Sequence, residues 1–296
     1  MPVEHPCVDW PNDLSFEPQC TLEDFRGFVW GKGIELYRDL PWRRTRDPYA
    51  IWLSEVMLQQ TQVTRVDGRW QRWLERFPTV EALATAPQGD VLEEWQGMGY
   101  NRRALSLHRA ARAIVEGGAG FPHDEAALLA LPGVGQATAA GVRAFAFDLP
   151  GVYLETNVRT VFLHELFPNY DGVADKQLIP YVRCACPQDS PRSWYYALLD
   201  YGAWLKRTVP NPSRRSRSHA KQKRFEGSHR QKRGEVIRIL LAAHGNGVTE
   251  QLVTERLCAF ERAANREDVT QEDVRALLVE LAQEGFCINR DGMWYT

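Results

Sequence analysis

Glu55 is the residue whose surroundings most favour chemistry. It is the only charged residue in the apolar stretch Ile51–Leu58, which has the residue types of a buried helix. Burial disfavours the ionised form of a carboxyl group and raises its pKa, so Glu55 could act as a general acid near neutral pH. A glutamate on a helix is more often a surface residue, and both interpretations stay open here. Gln59 and Gln62 follow four and seven residues later and are predicted to share its helical face.

A second acidic candidate, Glu155, follows Pro150-Gly151 in the stretch Val152–Arg159. An acidic residue at the start of a helix also complements the helix dipole, which is a common structural role. The residues alone therefore leave two roles open for Glu155, a catalytic carboxylate or a residue that stabilises the start of a helix.

The string Leu131–Gly135 reads Leu-Pro-Gly-Val-Gly and precedes the small-residue stretch Gln136–Val142. Two glycines in a tight turn leave backbone N–H groups uncovered, and a helix that begins next adds its positive dipole end. With the apolar stretch Ala126–Leu129 before it, this pattern predicts a helix–hairpin–helix, which binds the DNA backbone without reading sequence. A Gly-x-Gly between helices is also an ordinary turn.

Helices must position these residues. Before about Leu205, apolar residues recur at spacings of three and four, and glycine or proline interrupts the pattern regularly. This region is predicted to be all-α, with many helices of ordinary length.

The C-terminal tail has a different pattern. It predicts three helices, two of them capped by Thr249 and Thr270. Two short apolar strands, residues 286–288 and 293–295, follow around Asp291-Gly292. Three helices and a hairpin indicate a small domain similar to a winged helix.

Charge is unevenly distributed, although 36 basic and 38 acidic residues give a net charge of −2. Residues 206–233 contain eleven Lys or Arg and one acid, Glu226. Binding to a nucleic acid requires only a local basic segment, so the net charge of the whole chain does not exclude a nucleic-acid partner. The six cysteines are too sparse for a disulfide scaffold. We expect a monomer in the cytoplasm, nucleoid-associated in a bacterium, with no membrane segment.

Five short sequence motifs, two of them discussed above, occur in an order that is typical of one protein family. Over about residues 27–205 the chain resembles the MutY-type adenine DNA glycosylases, members of the helix–hairpin–helix superfamily that also contains endonuclease III. The resemblance implies an all-α helix–hairpin–helix DNA glycosylase fold, here with a small C-terminal winged-helix-like domain. The strings, in chain order, are Leu40–Arg43, Ser54–Val63, Arg76–Val80, Gly97–Tyr100 and Leu131–Gly135.

The resemblance also implies roles. A mispaired or damaged base is flipped out of double-stranded DNA, Glu55 protonates the departing adenine, and a second carboxylate stabilises the positive sugar. The family has an aspartate where this chain has Glu155, and Asn157 matches the family asparagine. The residues expected to contact DNA are Gln59, Gln60, Tyr100, Asn101, Leu131, Gly133, Val134, Gly135, Arg214, Arg215 and Arg217.

Departures from the family shape further expectations. Ala137 stands where endonuclease III has the lysine that forms a Schiff base, so we expect a monofunctional glycosylase without efficient β-lyase activity. The places of the four cluster cysteines are occupied by residues that cannot be iron–sulfur thiolates, so no cofactor is expected apart from a cation that the hairpin could hold. These residues are Lys206, Ser213, Ser216 and Gln222.

The predicted organisation has three parts: a glycosylase domain at residues 21–205, a basic DNA-contacting segment at 206–233 in place of the cluster loop, and a winged-helix-like domain at 234–296. Asn101 stands where the family typically has an aromatic wedge, and the tail is too short for the MutT-like domain that recognises 8-oxoguanine. Two alternatives therefore stay open. The chain could remove thymine, uracil or an oxidised base, or it could be a non-catalytic DNA-binding protein.

Overall fold

A computed structural model describes residues 8–11, 16–219 and 224–296. Within these ranges helices dominate and the strands are short, as the sequence predicts. No helix in the described ranges is long and apolar enough to cross a membrane. The helices are α1 (Leu22–Glu35), α2 (Pro48–Leu58), α3 (Val63–Val66), α4 (Arg69–Arg76), α5 (Val80–Thr85), α6 (Gln88–Glu94), α7 (Arg102–Gly117), α8 (Glu125–Leu129), α9 (Gln136–Phe147), α10 (Thr156–Glu165), α11 (Asp175–Ala185), α12 (Pro191–Thr208), α13 (His229–Leu241), α14 (Glu250–Ala263) and α15 (Gln271–Glu284).

The chain forms two compact units. The first takes its described residues from Met1–Gln60 and Phe121–Lys221, and the second from Thr61–Gly120 and Gln222–Thr296. Helix α12 continues to Thr208 and α13 already begins at His229. Secondary structure therefore does not change at residues 206 and 234, and the division of the sequence at these points stays a prediction.

The first unit is built around α10 and α12. Helix α12 packs on both α10 and α1, while α2 packs on α9. The side chains of Val158, Val161 and Phe162 on α10 are completely buried. Aromatic rings fill the space around them, with Phe25 of α1 5.0 Å from Phe162 and 6.1 Å from Trp194 between ring centroids. This packing fixes the start of α10, where Glu155 lies.

A buried ion pair joins the segment that precedes α2 to helix α12. The guanidinium of Arg43, in the 3-10 turn Pro41–Arg43, donates to both carboxylate oxygens of Asp200 at 2.7 and 2.8 Å. Both side chains are almost wholly excluded from water, and Arg38 donates a further hydrogen bond to the same carboxylate. A buried carboxylate is tolerated only when it is paired in this way.

The second unit contains the tail, whose three strands are β1 (Val248–Thr249), β2 (Ile288–Arg290) and β3 (Met293–Tyr295). They form an antiparallel sheet in the order β1-β3-β2. The side chains of Thr249 and Thr270 cap α14 and α15, as the sequence predicts. Helices α13, α14 and α15 with this sheet have the topology of a winged helix.

Two details of the tail differ from the sequence prediction. Strand β1 was not predicted, because two residues carry no alternation that a pattern could detect. The hairpin strand begins at Ile288 rather than Phe286, because Phe286 and Cys287 are buried directly after Gly285, the left-handed residue that ends α15.

Breaking the buried pair should destabilise the first unit. Asp200→Ala leaves the Arg43 guanidinium buried without its carboxylate, so we expect the free energy of unfolding to fall by about 3–5 kcal/mol. Urea unfolding followed by tryptophan fluorescence measures this change. The control is Asp39→Ala, which removes the partner of Arg44 in an exposed pair and should leave the midpoint unchanged. Equal midpoints for Asp200→Ala and the unaltered protein would contradict the prediction.

Candidate active site

Glu55 lies in α2, a helix with apolar neighbours on nearly every side. Asp47 caps the helix by accepting a hydrogen bond from the Ala50 N–H at 2.7 Å. The helix ends at Leu58, and the next two residues, Gln59 and Gln60, leave the helical conformation, Gln60 with a φ of +52°.

The prediction that Gln59 and Gln62 share the helical face of Glu55 is therefore wrong, because the helix stops before either residue. Gln59 lies in the first unit, where its side-chain Nε2 donates to the hydroxyl of Thr138 at 3.0 Å and ties the end of α2 to α9. Gln60 is exposed. Gln62 belongs to the second unit and precedes α3.

The Glu55 carboxyl lies directly against α9 at Gly141. A Cβ atom added to Gly141 would overlap with the Glu55 carboxyl and come within 2.9 Å of the Tyr153 ring. Tyr153 is buried, and its hydroxyl hydrogen-bonds the Glu55 carboxyl. The missing side chain at Gly141 therefore provides the space in which these two groups meet.

Burial raises the pKa of Glu55 to about 8, and the charge of Glu155 contributes in the same direction. The hydrogen bond from Tyr153 opposes the shift. Glu55 still keeps part of its surface accessible. A carboxyl group that is surrounded by protein yet reachable, and protonated at neutral pH, is suited to donate a proton to a ligand.

Glu155 is the N-cap of α10. Its Oε1 accepts hydrogen bonds from the backbone N–H groups of Asn157 and Val158 at 2.5 and 3.1 Å. The helix-start role that the sequence left open is therefore real, and it holds the carboxylate in a defined position near Glu55. The side-chain Oδ1 of Asn157 is buried without a hydrogen-bond partner. A buried amide oxygen in that state is a candidate for contact with a ligand.

Helix α12 packs closely against the first turn of α10, through a second glycine. A Cβ atom on Gly202 would overlap with the backbone carbonyl of Asn157. Lys206 lies one turn further along α12, partly buried, and desolvation lowers its pKa while the Glu155 charge raises it. An amine thus faces the Glu155 side of the site.

The predicted hairpin connects α8 to α9. Leu131 and Val134 are buried anchors, whereas Gly133 and Gly135 are exposed. Gly133 has a φ of +76°, a conformation that glycine adopts without strain. Gly135 precedes α9 without a side-chain cap, so the first N–H groups of the helix have no side-chain acceptor there. The turn has the form of an anion site, in which Leu131 and Val134 offer only their backbone.

The basic segment is ordered where the structure describes it. Arg215 donates to the carbonyl oxygens of Phe167, Tyr170 and Leu163 near the end of α10. The chain pairs with the neighbouring loop at Val173, whose backbone exchanges hydrogen bonds with Arg215 and Arg217 at 3.0 and 2.9 Å. Arg215 thus acts as a clamp, while Arg214 and Arg217 are exposed.

The places of the family's cluster cysteines hold no metal-binding set. Ser213 and Ser216 are buried, the first donating to Asn211 and the second accepting from Ser218. Gln222 lies outside the described residues. Among the described residues no group of three or more His, Cys, Asp or Glu side chains is arranged to hold a metal ion.

Tyr100 and Asn101 lie in the second unit, at the turn before α7. Tyr100 has a φ of +49° and follows Gly99, whose φ is +71°. Asn101 begins α7 without a side-chain cap bond. Tyr100 is the residue that presents an aromatic ring at this turn.

Comparison with known proteins shows the family to which the chain belongs. Residues 53–182 match the model of the HhH-GPD superfamily base excision DNA repair protein. The adenine DNA glycosylase of Mycobacterium tuberculosis is 34% identical over 235 residues, which cover 70% of this chain and 75% of that protein. The chain belongs to the HhH-GPD superfamily and, within it, to the adenine DNA glycosylase family.

Other similarities place the chain more broadly in the HhH-GPD superfamily. The adenine DNA glycosylase of Mycolicibacterium smegmatis is 40% identical over 169 residues, or 56% of this chain and 58% of that protein. The chain thus spans little more than half the length of that relative. The solved structure of a thermostable thymine-DNA glycosylase aligns with a TM-score of 0.55 and 26% identity, over 62% of this chain and 86% of that one. The predicted fold class is confirmed.

Sequence reasoning missed three members of this HhH-GPD site: Gly141, Tyr153 and Gly202. Each acts through a contact between segments distant in sequence, so no local pattern marks its role. The one available signal was the small-residue stretch that contains Gly141.

Glu55 should make stability depend on pH. Its pKa is 4.5 without the protein environment and about 8 in the folded protein, so its contribution is fully present below the lower value and lost as pH rises through about 8. Glu55→Gln carries no such proton and should become more stable than the unaltered protein towards pH 9, by a few kcal/mol, since each tenfold change in proton affinity is worth about 1.4 kcal/mol. Thermal unfolding of both proteins from pH 4.5 to 9 measures the difference. A difference that is independent of pH would contradict the shift.

Proposed function

We propose that the chain is a monofunctional DNA glycosylase that removes adenine from a mispair in duplex DNA. The observation that carries this proposal is the Glu55 carboxyl, whose pKa burial raises to about 8, beside the Glu155 carboxylate that caps α10. The family relatives named adenine DNA glycosylase support the choice of base. We also propose that the protein acts as a monomer, since both carboxylates belong to one compact unit of one chain and need no second copy.

The two carboxyl groups have different tasks. Adenine leaves a sugar poorly as an anion, and a proton from Glu55 lets it depart as a neutral base with the electrons of the glycosidic bond. The sugar then carries positive charge, which the Glu155 carboxylate stabilises. Water adds to the sugar carbon and gives up a proton, for which the Glu55 carboxylate is the acceptor.

Asn157 and Lys206 border this reaction. The unpartnered Oδ1 of Asn157 is available to a hydroxyl or amine of the flipped nucleotide. Strand cleavage would need an amine that attacks the sugar, and Ala137 cannot supply one after the hairpin. We therefore propose that the abasic strand is left intact, because the Lys206 amine lies on the Glu155 side of the site and not at the position of the endonuclease III lysine.

The residues present do not fit an iron–sulfur cluster. Thiolates are the required ligands, and the described positions offer the amine of Lys206 and the hydroxyls of Ser213 and Ser216, which already have hydrogen-bond partners. We propose that the segment does without a cluster, that Arg215 holds its fold, and that Arg214 and Arg217 contact DNA phosphates. The exposed N–H groups of Gly133 and Gly135 contact a further phosphate.

A second candidate is removal of thymine from a mispair. The 26% identity to a thymine-DNA glycosylase structure favours it, together with the polar Asn101 in the wedge turn. Protonation of the leaving base is less useful for a pyrimidine, which departs as a stabilised anion, so a carboxyl protonated near neutral pH favours adenine.

Base excision should follow the protonation of Glu55. In single-turnover assays on duplexes that carry each mismatch, with alkali cleavage of the product, we expect adenine release whose rate falls about tenfold per pH unit above pH 8, because the acid is then ionised. Glu55→Gln should abolish release. Release of a pyrimidine instead would support the second candidate, and no release from any duplex would support a non-catalytic DNA-binding protein.

Matched variants separate catalysis from helix capping in this assay. Glu155→Gln keeps an oxygen that accepts the two backbone N–H bonds but removes the charge, so the rate should fall about a hundredfold while the fold is kept. Asp124→Asn is the control, because Asp124 caps α8 in the same manner. It should leave the rate unchanged.

The exposed arginines should set part of the salt dependence of DNA binding. Replacing Arg214 and Arg217 together with Gln should make the slope of log K against log salt less negative by up to about 1.8, or about 0.9 for each lost phosphate contact. Fluorescence anisotropy with duplex DNA at several salt concentrations measures the slope. The control replaces Arg44 and Arg262, whose guanidinium groups are paired with Asp39 and Asp268. An equal slope for the two double variants would overturn the phosphate contacts.

A further inference from the structure

An exposed aromatic side chain stands on the N-terminal side of α13 in the second unit. Phe225 keeps 47% of its surface accessible. The turn that carries it is nonetheless ordered, since its carbonyl accepts hydrogen bonds from the N and Oγ of Ser228 at 3.1 and 2.6 Å. Ser228 in turn caps α13. A single exposed aromatic residue is common on protein surfaces, so its neighbours decide its meaning.

Those neighbours form a stack. The Arg230 guanidinium lies 5.0 Å from the ring centroid of Phe225 and 5.0 Å from that of Tyr100. It also donates a hydrogen bond to the Tyr100 hydroxyl at 2.9 Å. Phe225 is therefore joined to the Tyr100 turn through a cation between two rings.

The stack continues beyond Tyr100. The Arg103 guanidinium lies 5.5 Å from the Tyr100 ring and 5.2 Å from the Trp95 ring. It donates to the carbonyl oxygens of Met98 and Gly99 at 3.2 and 3.0 Å, which holds the turn in place. Phe225 is thus the exposed end of a column in which aromatic rings alternate with guanidinium groups.

The charge around the column is suited to DNA. Arg224, next to Phe225, is exposed. The acid beside it, Glu226, accepts a hydrogen bond from Gln231 at 3.0 Å and lies 3.7 Å from the Arg266 guanidinium. The neighbouring negative charge is therefore already compensated. Aromatic rings with guanidinium groups in a basic setting are the surface on which unpaired nucleic-acid bases stack.

We propose that Phe225 stacks on a base of the bound DNA at the turn of Tyr100 and Asn101, in place of the aromatic residue that Asn101 does not provide. The proposal rests on the proposed function, because a flipped base leaves the gap that such a ring fills. Arg230 holds the ring against the Tyr100 turn. The contact thereby comes from beyond residues 53–182, the part of the chain that the superfamily model matches.

The test measures single-turnover excision with saturating enzyme on two substrates. One is a duplex with the preferred mispair, and the other is the same strand with the target base opposite an abasic site, where unstacking costs less. Phe225→Ala should slow excision from the mispair by at least about fivefold, the lower end of the effect of removing a base-stacking aromatic residue. The loss should be smaller on the second substrate. Phe225→Trp should retain the rate.

Relocating the ring makes the test sharper. In the double variant Phe225→Ala with Asn101→Tyr, an aromatic residue at the family position should restore the mispair rate. Phe28→Ala is the matched control, since Phe28 is exposed to a similar degree, 43%, in the first unit, and should leave the rate unchanged. A second readout uses DNA that carries the fluorescent base 2-aminopurine beside the mispair. The proteins compared all carry Glu55→Gln, and Phe225→Ala should reduce the rise in 2-aminopurine fluorescence when the DNA is bound.

Failure of this inference differs from failure of the proposed function. Equal mispair rates for Phe225→Ala and the unaltered protein would overturn the inference while excision itself remains. An equal loss on both substrates would also overturn it, because it would mean a structural role. Absence of excision by the unaltered protein would refute the proposed function, and the 2-aminopurine signal would then still decide whether Phe225 stacks on bases.

Discussion

Burial raises the pKa of a carboxyl group where protein replaces water around it, and in this molecule the close packing of helices around the two carboxyl groups depends on two glycines. Gly141 brings α9 against the Glu55 carboxyl, and Gly202 brings α12 against the backbone of Asn157. Neither position uses the conformational freedom of glycine, since both lie in ordinary helix. What matters is the missing side chain, because any Cβ atom would separate the helices that surround the two carboxyl groups.

The same close packing gives the two carboxyl groups opposite surroundings. Glu55 meets a tyrosine hydroxyl and a helix backbone that offers it no free N–H, so desolvation dominates. Glu155 meets the open start of α10, where its Oε1 accepts hydrogen bonds from two backbone N–H groups. The two glutamates therefore have different surroundings, because one faces the side of a helix and the other faces its end.

Much of the fold and part of the candidate site could be predicted from the sequence, because these features depend on the pattern of residues close together in the chain. The apolar stretch around Glu55 predicted burial, Leu131–Gly135 predicted the hairpin, and Thr249 and Thr270 predicted caps. The roles of Tyr153 and Phe225 were not predictable, because each depends on which distant segment lies beside it. Arg215 illustrates the limit: Arg214 and Arg217 nearby are exposed, yet the Arg215 guanidinium has three carbonyl partners that no spacing encodes. The DNA contacts expected from the sequence stay predictions, as do the divisions at residues 206 and 234.

The clamp formed by Arg215 has a consequence for how the protein matures. The groups of this clamp belong to the chain itself, a guanidinium and three backbone carbonyls, so they are all present as soon as the chain folds. Ser213 and Ser216 carry hydroxyls, so an oxidant that attacks thiolates has no target at these two positions.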